Sequence, residues 1–276
     1  MQKLPRVLKI LSRATIASLL FCLSILSFAA GPVLDRVVEQ GVLRVAMSGD
    51  QQPFNFIFGK SKSVIGFDVD LAEALASSMK VELDVMRMPF DELIDAVEQG
   101  RADMVISGMT ITAQRTRKVS FVGPYMLSGK SLLATAKLMK ETKTKDIAGL
   151  NNPQVNLVAL KGSTSESFVQ QKLPKASLTA VTNYDEGVQM LLAGKADGMV
   201  ADMPILALTK QRHRDSDLQL ITPPLSIEPL GVVIARGDEQ FENLLRNYLL
   251  TFEKTGLFVE LHKKWFEIGN RNIYEP

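Results

Sequence analysis

Gly108, Thr110 and Arg115 lie within eight positions of one another, and Asp202 lies 94 positions after Gly108. Those residue types have the chemistry to hold a small zwitterion. An arginine guanidinium presents a planar fork of donors that matches a carboxylate, and an aspartate accepts from an ammonium. Ser163 and Thr164 lie where a helix is expected to begin, and a helix N-terminus offers free backbone N–H groups. Plainer readings stand beside this one. Arg115 also fits a surface base in the run to Lys118, Asp202 a helix cap ahead of Pro204, and the Ser, Gly and Thr residues simple turns.

The elements that would position these groups repeat within the chain. Residues 90–108, FDELIDAVEQGRADMVISG, align without a gap onto residues 184–202, YDEGVQMLLAGKADGMVAD. Each copy reads as helix, glycine stop and apolar strand, with Gly100 and Gly194 at the left-handed C-terminal cap. A spacing of this length exceeds the ~20–50 residues of solenoid units and indicates two similar lobes. Ahead of the first copy, residues 43–47 and 81–85 read as strands, with a helix from Asp70 capped by Asp70 and Glu73. Ahead of the second, residues 157–160 and 178–181 read as strands, with a helix capped by Ser163 and boxed by Glu166. Strand–helix alternation predicts an α/β fold of two lobes, each a mostly parallel sheet with covering helices. Ligands of such sheets sit beyond the carboxyl ends of the strands. That rule selects the loops 48–53 and 107–110 in one lobe and 161–164 and 201–204 in the other.

In the repeat itself the mismatches carry the chemistry. Gly108 faces Asp202, Thr110 faces Pro204 and Arg115 faces Thr209, so one lobe carries a cation and the other an anion. Residues 125–130 and 225–230 are the expected crossings between lobes, which makes a hinge. A strand at 231–235 and helices at 240–253 and 257–266 complete the first lobe. The lysine-rich stretch 137–145 reads as a solvated loop.

The first residues carry Lys3, Arg6, Lys9 and Arg13 and no acid, followed by an apolar run to Phe28 that ends in small residues. This is the pattern of a secretory signal peptide covering residues 1–29, with an uncleaved anchor as the alternative. Removal of the leader leaves 28 basic residues against 30 acidic, so the formal charge moves from +2 to −2. The basic balance belongs to the leader, and no basic stripe remains to indicate nucleic acid. Cys22, the single cysteine, lies in the leader. Export without disulfides suits a bacterial periplasm, and about 247 residues suffice for two lobes. No second long apolar run follows, which excludes a receptor that crosses the membrane twice. No Ser/His/Asp or Cys/His set suggests a nucleophile, and His213 and His262 read as surface residues. Asp68 and Asp70 resemble a metal-binding pair, but helix capping accounts for them better, and no cofactor is expected.

The stretches SGMTITAQRTRKVSFVGPY at 107–125, GFDVDLAEALA at 66–76 and GLFVELHKKWF at 256–266 resemble the periplasmic amino-acid-binding proteins of ABC importers. The resemblance covers nearly the whole mature chain. It implies the two-lobed periplasmic-binding-protein fold (type II), with residues 30–127 and 228–276 in lobe one and 128–227 in lobe two. It also implies a monomer that closes on an amino acid and delivers it to a membrane permease. By the same resemblance Arg115 and Thr110 bind the ligand carboxylate with N–H groups near Ser163 and Thr164. The Gly108 carbonyl and Asp202 bind the ammonium, Phe90 packs over the ligand, and Ser48, Gln51 and Ser107 line the first lobe's side. The departure lies in the first loop. Many relatives carry an acid at the place of Ser48 and an aromatic at that of Gln51, and here Asp50 or Glu228 would have to replace the acid. The competing implication is a dehydratase of the same fold acting on prephenate-like acids.

Overall fold

A computed structural model of the protein describes residues 33–60, 62–142 and 147–267. The expected leader lies outside them. Two five-stranded sheets and one small one form the frame. Strand β1 (Val42–Met47) enters half-exposed and becomes fully buried by Ala46, because parallel strands on both sides and helices on both faces enclose it. It is followed by β2 (Asp50–Gln51), β3 (Asn55–Phe58) and β4 (Ser63–Ile65), which pair antiparallel as a separate flap. Then come β5 (Glu82–Arg87), β6 (Met104–Val105), β7 (Ser120–Ser128) and β8 (Lys130–Ala134). The remaining strands are β9 (Asn156–Leu160), β10 (Ser177–Val181), β11 (Gly198–Asp202), β12 (Gln219–Leu220) and β13 (Glu228–Ile234).

The first sheet has the order β5-β1-β6-β13-β7 and the second β10-β9-β11-β8-β12. In each, three strands are parallel and the fourth is antiparallel to the third. Those fourth strands are the ones that have just changed sheet. The chain leaves β7 and enters β8 through Gly129, and it leaves β12 and re-enters the first sheet at β13. The two crossings touch: a Cβ on Gly129 would lie 2.2 Å from the Ser226 carbonyl oxygen, so only glycine fits.

The two copies of the repeat fold alike. Both glycine stops are left-handed, Gly100 at φ 68° and Gly194 at φ 67°. The helix ends close with the same bonds, Arg101 N–H to Ala96 O at 2.8 Å and Lys195 N–H to Met190 O at 2.9 Å. Asp103 and Asp197 then perform one task in both lobes. Each carboxylate accepts the N–H of an early residue of the neighbouring central strand, Arg44 at 2.7 Å and Asn156 at 2.8 Å.

Three expectations are corrected. Asp70 does not cap a helix. The helix Phe67–Met79 begins earlier, after Gly66, and its first N–H groups bond to the Pro53 and Phe54 carbonyls of the flap. Asp70 instead accepts from Lys264 and Trp265 Nε1, each at 2.7 Å, tying down the C-terminal helix Leu257–Phe266. Second, Ser163 caps Thr164–Lys172 as expected, but Glu166 reaches back to the Gly162 N–H rather than to Ser163. Third, the lysine-rich stretch is helical over Ala136–Thr142, where strong helix formers outweigh the charge and Leu138 is buried against the second lobe.

Candidate functional site

Beneath the first lobe's loops lies a polar layer. Ser107 and Asn55 are fully buried and Gln51 nearly so. Gln51 Nε2 donates to the hydroxyls of Ser48 and Ser107 at 2.8 and 2.9 Å, and to the Ser107 carbonyl. Asn55 Oδ1 accepts from the Gly49 N–H at 2.7 Å. Asp68 anchors the layer, accepting from Asn55 Nδ2 at 2.8 Å, the Gly108 N–H at 3.1 Å and the Tyr125 hydroxyl at 3.1 Å. Burial raises its carboxyl to about 6 against those three donors. Ser48, Gln51 and Ser107 thus spend their side chains on one another, holding the loops that carry Gly108 and Thr110.

Above the layer the lobes meet. Thr112 Oγ1 accepts the Arg115 N–H at 3.2 Å and starts the short turn Arg115–Arg117. The guanidinium donates to Thr110 O at 2.8 Å and, across the cleft, to Gly162 O at 3.0 Å. Its Cζ stands 5.7 Å from the Phe90 ring centroid, a cation–π contact. Burial lowers Arg115 to about 10, while Glu228 and Asp202 act to raise it. Glu228 Oε2 accepts from Thr110 at 2.9 Å, from Thr164 at 2.8 Å and from Lys130 Nζ at 2.9 Å.

Asp202 ends β11 and precedes the helix Met203–Arg212, yet its side chain makes no capping bond. Lys130 Nζ lies 3.6 Å from its Oδ1, and that buried oxygen accepts no hydrogen bond. Burial raises the Asp202 carboxyl and Glu228 adds to that, with Lys130 and Ser128 opposing. Further contacts join the lobes at the rim, among them Lys161–Asp91 at 2.8 Å and Arg212 to Gln52 at 3.0 Å. A cavity of about 650 Å³ opens on the Arg115 side, bordered by Thr112, Gly162, Ser163, Thr164 and Glu228.

The structure therefore brings Phe90, Thr110, Arg115, Ser163, Thr164 and Asp202 to one interlobe region, with Gly108 held at its base. Sequence reasoning missed Lys130, which is 1% exposed and paired to both Asp202 and Glu228. A lysine opening an otherwise apolar strand, GKSLLA, was the available signal. It also missed Asp68, and Tyr184, which the repeat aligns with Phe90. Both aromatics are buried in the same core cluster, one from each lobe. Among the described residues no group of His, Cys, Asp and Glu is placed to hold a metal ion.

Residues 43–268 match the family model of bacterial extracellular solute-binding proteins, family 3. Among curated relatives, the cyclohexadienyl dehydratase of Pseudomonas aeruginosa is 29% identical over 90% of this chain and 92% of the relative. The glutamine-binding protein GlnH of an ABC transporter in Bacillus subtilis is 28% identical over 79% of this chain and 78% of its own. Among solved structures, an ancestral amino acid-binding protein, AncCDT-1, described as a precursor of cyclohexadienyl dehydratase, is 35% identical with a TM-score of 0.79. It spans 85% of this chain and 99% of that one. A substrate-binding protein of an amino acid ABC transporter from Streptococcus pneumoniae, bound to L-arginine, is 27% identical over 84% and 97%, with a TM-score of 0.76. The chain belongs to the bacterial extracellular solute-binding proteins, family 3.

Proposed function

We propose that the protein captures an amino acid or close analogue between its lobes and hands it to the membrane permease of an ABC importer. It would act as a monomer in the periplasm after export by its leader. The observation that carries this reading is the pairing of opposite needs across the cleft. Arg115 offers a guanidinium with carbonyl partners and no carboxylate hydrogen-bonded to it, and Asp202 Oδ1 is a buried oxygen that accepts no hydrogen bond, with the Lys130 ammonium 3.6 Å away. The α-carboxylate and α-ammonium of one ligand answer both. Each buried polar group left unpaired costs about 1–3 kcal/mol. Several such groups approach the ~5.5 kcal/mol that moves a two-state hinge from 1:99 to 99:1. A thermal-shift screen against the common amino acids tests this: a ligand at 100 times its Kd should stabilise by about 2.7 kcal/mol. No shift with any of them would remove the reading.

One observation favours a second reading. Lys130, which is buried, and Glu228, which is partly buried, form an ammonium–carboxylate pair beside Asp202, and titratable groups clustered in a cleft are where proton-transfer chemistry is found. A dehydratase acting on prephenate-like acids would use it. Steady-state turnover of prephenate or arogenate decides between the two.

A further inference from the structure

We infer that Glu228 is a resident stand-in for the ligand's carboxylate, one that draws the lobes together on itself and that an incoming carboxylate must displace. This rests on the amino-acid reading above, which gives the hydroxyls of Thr110 and Thr164 to the ligand. In the structure both hydroxyls donate to Glu228. Its Oε2 accepts from Thr110 at 2.9 Å, from Thr164 at 2.8 Å and from Lys130 Nζ at 2.9 Å, while Oε1 accepts the Ser226 hydroxyl at 3.2 Å. The two threonine oxygens stand only 3.2 Å apart. Thr110 comes from lobe one and Thr164 from the helix start of lobe two, so a single oxygen of this chain joins the two walls of the cleft.

The contact is exclusive because a threonine hydroxyl has a single proton to donate, and donation to Glu228 uses it in both residues. A second carboxylate at the same place would find no hydroxyl proton free and would face the negative charge of the first. Burial acts to raise the Glu228 carboxyl, but Lys130 and the two threonines outweigh it and hold the group below its ordinary value, so it stays ionised. Of the two acids that act on the Arg115 guanidinium, Glu228 acts more strongly than Asp202. The backbone fixes Glu228 in this place. It opens β13 opposite Ser128, just past the second crossing, and the Ile111 N–H bonds to the Pro229 carbonyl at 2.8 Å, which sets Thr110 beside it. The Lys130 pair alone would tie the crossings; the threonine bonds spend groups of the ligand-facing loops. The cavity of about 650 Å³ that Glu228 borders with Arg115 gives a displaced side chain room to swing out.

Acetate, a free carboxylate, tests the inference in Glu228→Ala. Against sodium chloride at the same ionic strength, acetate should raise the Tm of the variant saturably by about 2–4 °C and that of the unaltered protein by less than about 1 °C. No rise in the variant, or the same rise in both proteins, overturns the inference. Calorimetric titration of the common amino acids reads the competition directly. If the resident carboxylate leaves about one molecule in ten open to ligand, any amino acid that binds should do so about 10-fold more tightly in the variant. Weaker or unchanged binding overturns the inference and makes Glu228 a contact of the ligand or a hinge tie. Should Glu228→Ala not fold, Glu228→Gln keeps the shape of the side chain and removes its charge, and the same titration decides, with tighter binding expected and weaker or unchanged binding again overturning displacement. Binding of no amino acid by either protein removes the amino-acid reading and leaves the acetate comparison to decide the inference.

Discussion

The two lobes are built from one plan and differ where their loops face each other. What they share is structural. The left-handed glycines, the helix-closing bonds and the paired aspartates at 103 and 197 occupy equivalent places and make equivalent bonds. What they do not share sits at the cleft: Arg115 and the Asp68-anchored layer belong to lobe one, and Asp202 and the Ser163 helix start to lobe two. Duplication supplies a scaffold, and divergence at the strand ends supplies opposite charges to opposite walls.

The sharpest break in the symmetry within the scaffold is at the paired aspartates. Asp103 is 1% exposed and holds both Arg36 and Arg44 as well as the Arg44 N–H. Asp197 is half-buried and bonds to Asn156 alone. Removing one partner of a buried ion pair costs ~3–5 kcal/mol, whereas losing a solvent-accessible hydrogen bond costs ~1 kcal/mol. Asp103→Ala should therefore lower the denaturant midpoint far more than Asp197→Ala. Equal losses would mean that the arginines add nothing to the shared clamp.

The next effect lies on the unshared side. Arg115→Ala should weaken amino-acid binding by ~100-fold or more, as one charged two-point contact and the interlobe bond to Gly162 disappear together. Arg115→Lys should fall between, because a point charge replaces a fork. Calorimetry reads both, and unchanged affinity in the alanine variant would show that the asymmetry of the walls does not serve binding.

Much of the scaffold was legible because the repeat set its own reference: one copy's helix–glycine–strand reading checks the other. The charges on Arg115 and Asp202 were legible for the same reason, as mismatches in an otherwise matched frame. Lys130 was not, because a lysine near a crossing reads as solvated, and its burial depends on two acids contributed by β11 and β13. Asp68 read as part of a helix start, and the network that gives it a role is assembled from Asn55 on the flap and from Gly108 and Tyr125, which lie 40 and 57 residues away. Gln51 and Ser107 read as cleft residues because local sequence marks a loop without saying which way its side chains turn.

Asp68 lies outside both repeat copies, in the helix Phe67–Met79, and pH tests its role. Its carboxyl is raised from 3.8 to about 6, chiefly by burial. The folded form therefore holds this proton more tightly than the unfolded form. The associated stability is complete below pH ~4 and is lost as pH rises through ~6, amounting to about 3 kcal/mol at ~1.36 kcal/mol per pH unit. Asp50 and Asp202 are also raised, by burial foremost, and act with the same sign. The test is the difference between the unaltered protein and Asp68→Asn. Unfolding free energies at pH 4 and pH 7 should show a smaller decline in the variant, and an identical decline would assign the slope to the other acids.

The smallest effect is the one that should be equal. Gly100 and Gly194 hold the same left-handed backbone, and a Cβ on either meets nothing within 4 Å. Steric crowding cannot distinguish them, so Gly100→Ala and Gly194→Ala each carry only the backbone cost of a left-handed L-residue, ~1 kcal/mol. For a protein of this size that is ~2–4 °C in Tm. A calorimetric scan should give the same decrement for both. A clear inequality would mean that the two helix stops differ in how far the surrounding lobe lets them relax, and that the duplication no longer extends to the energetics of the frame.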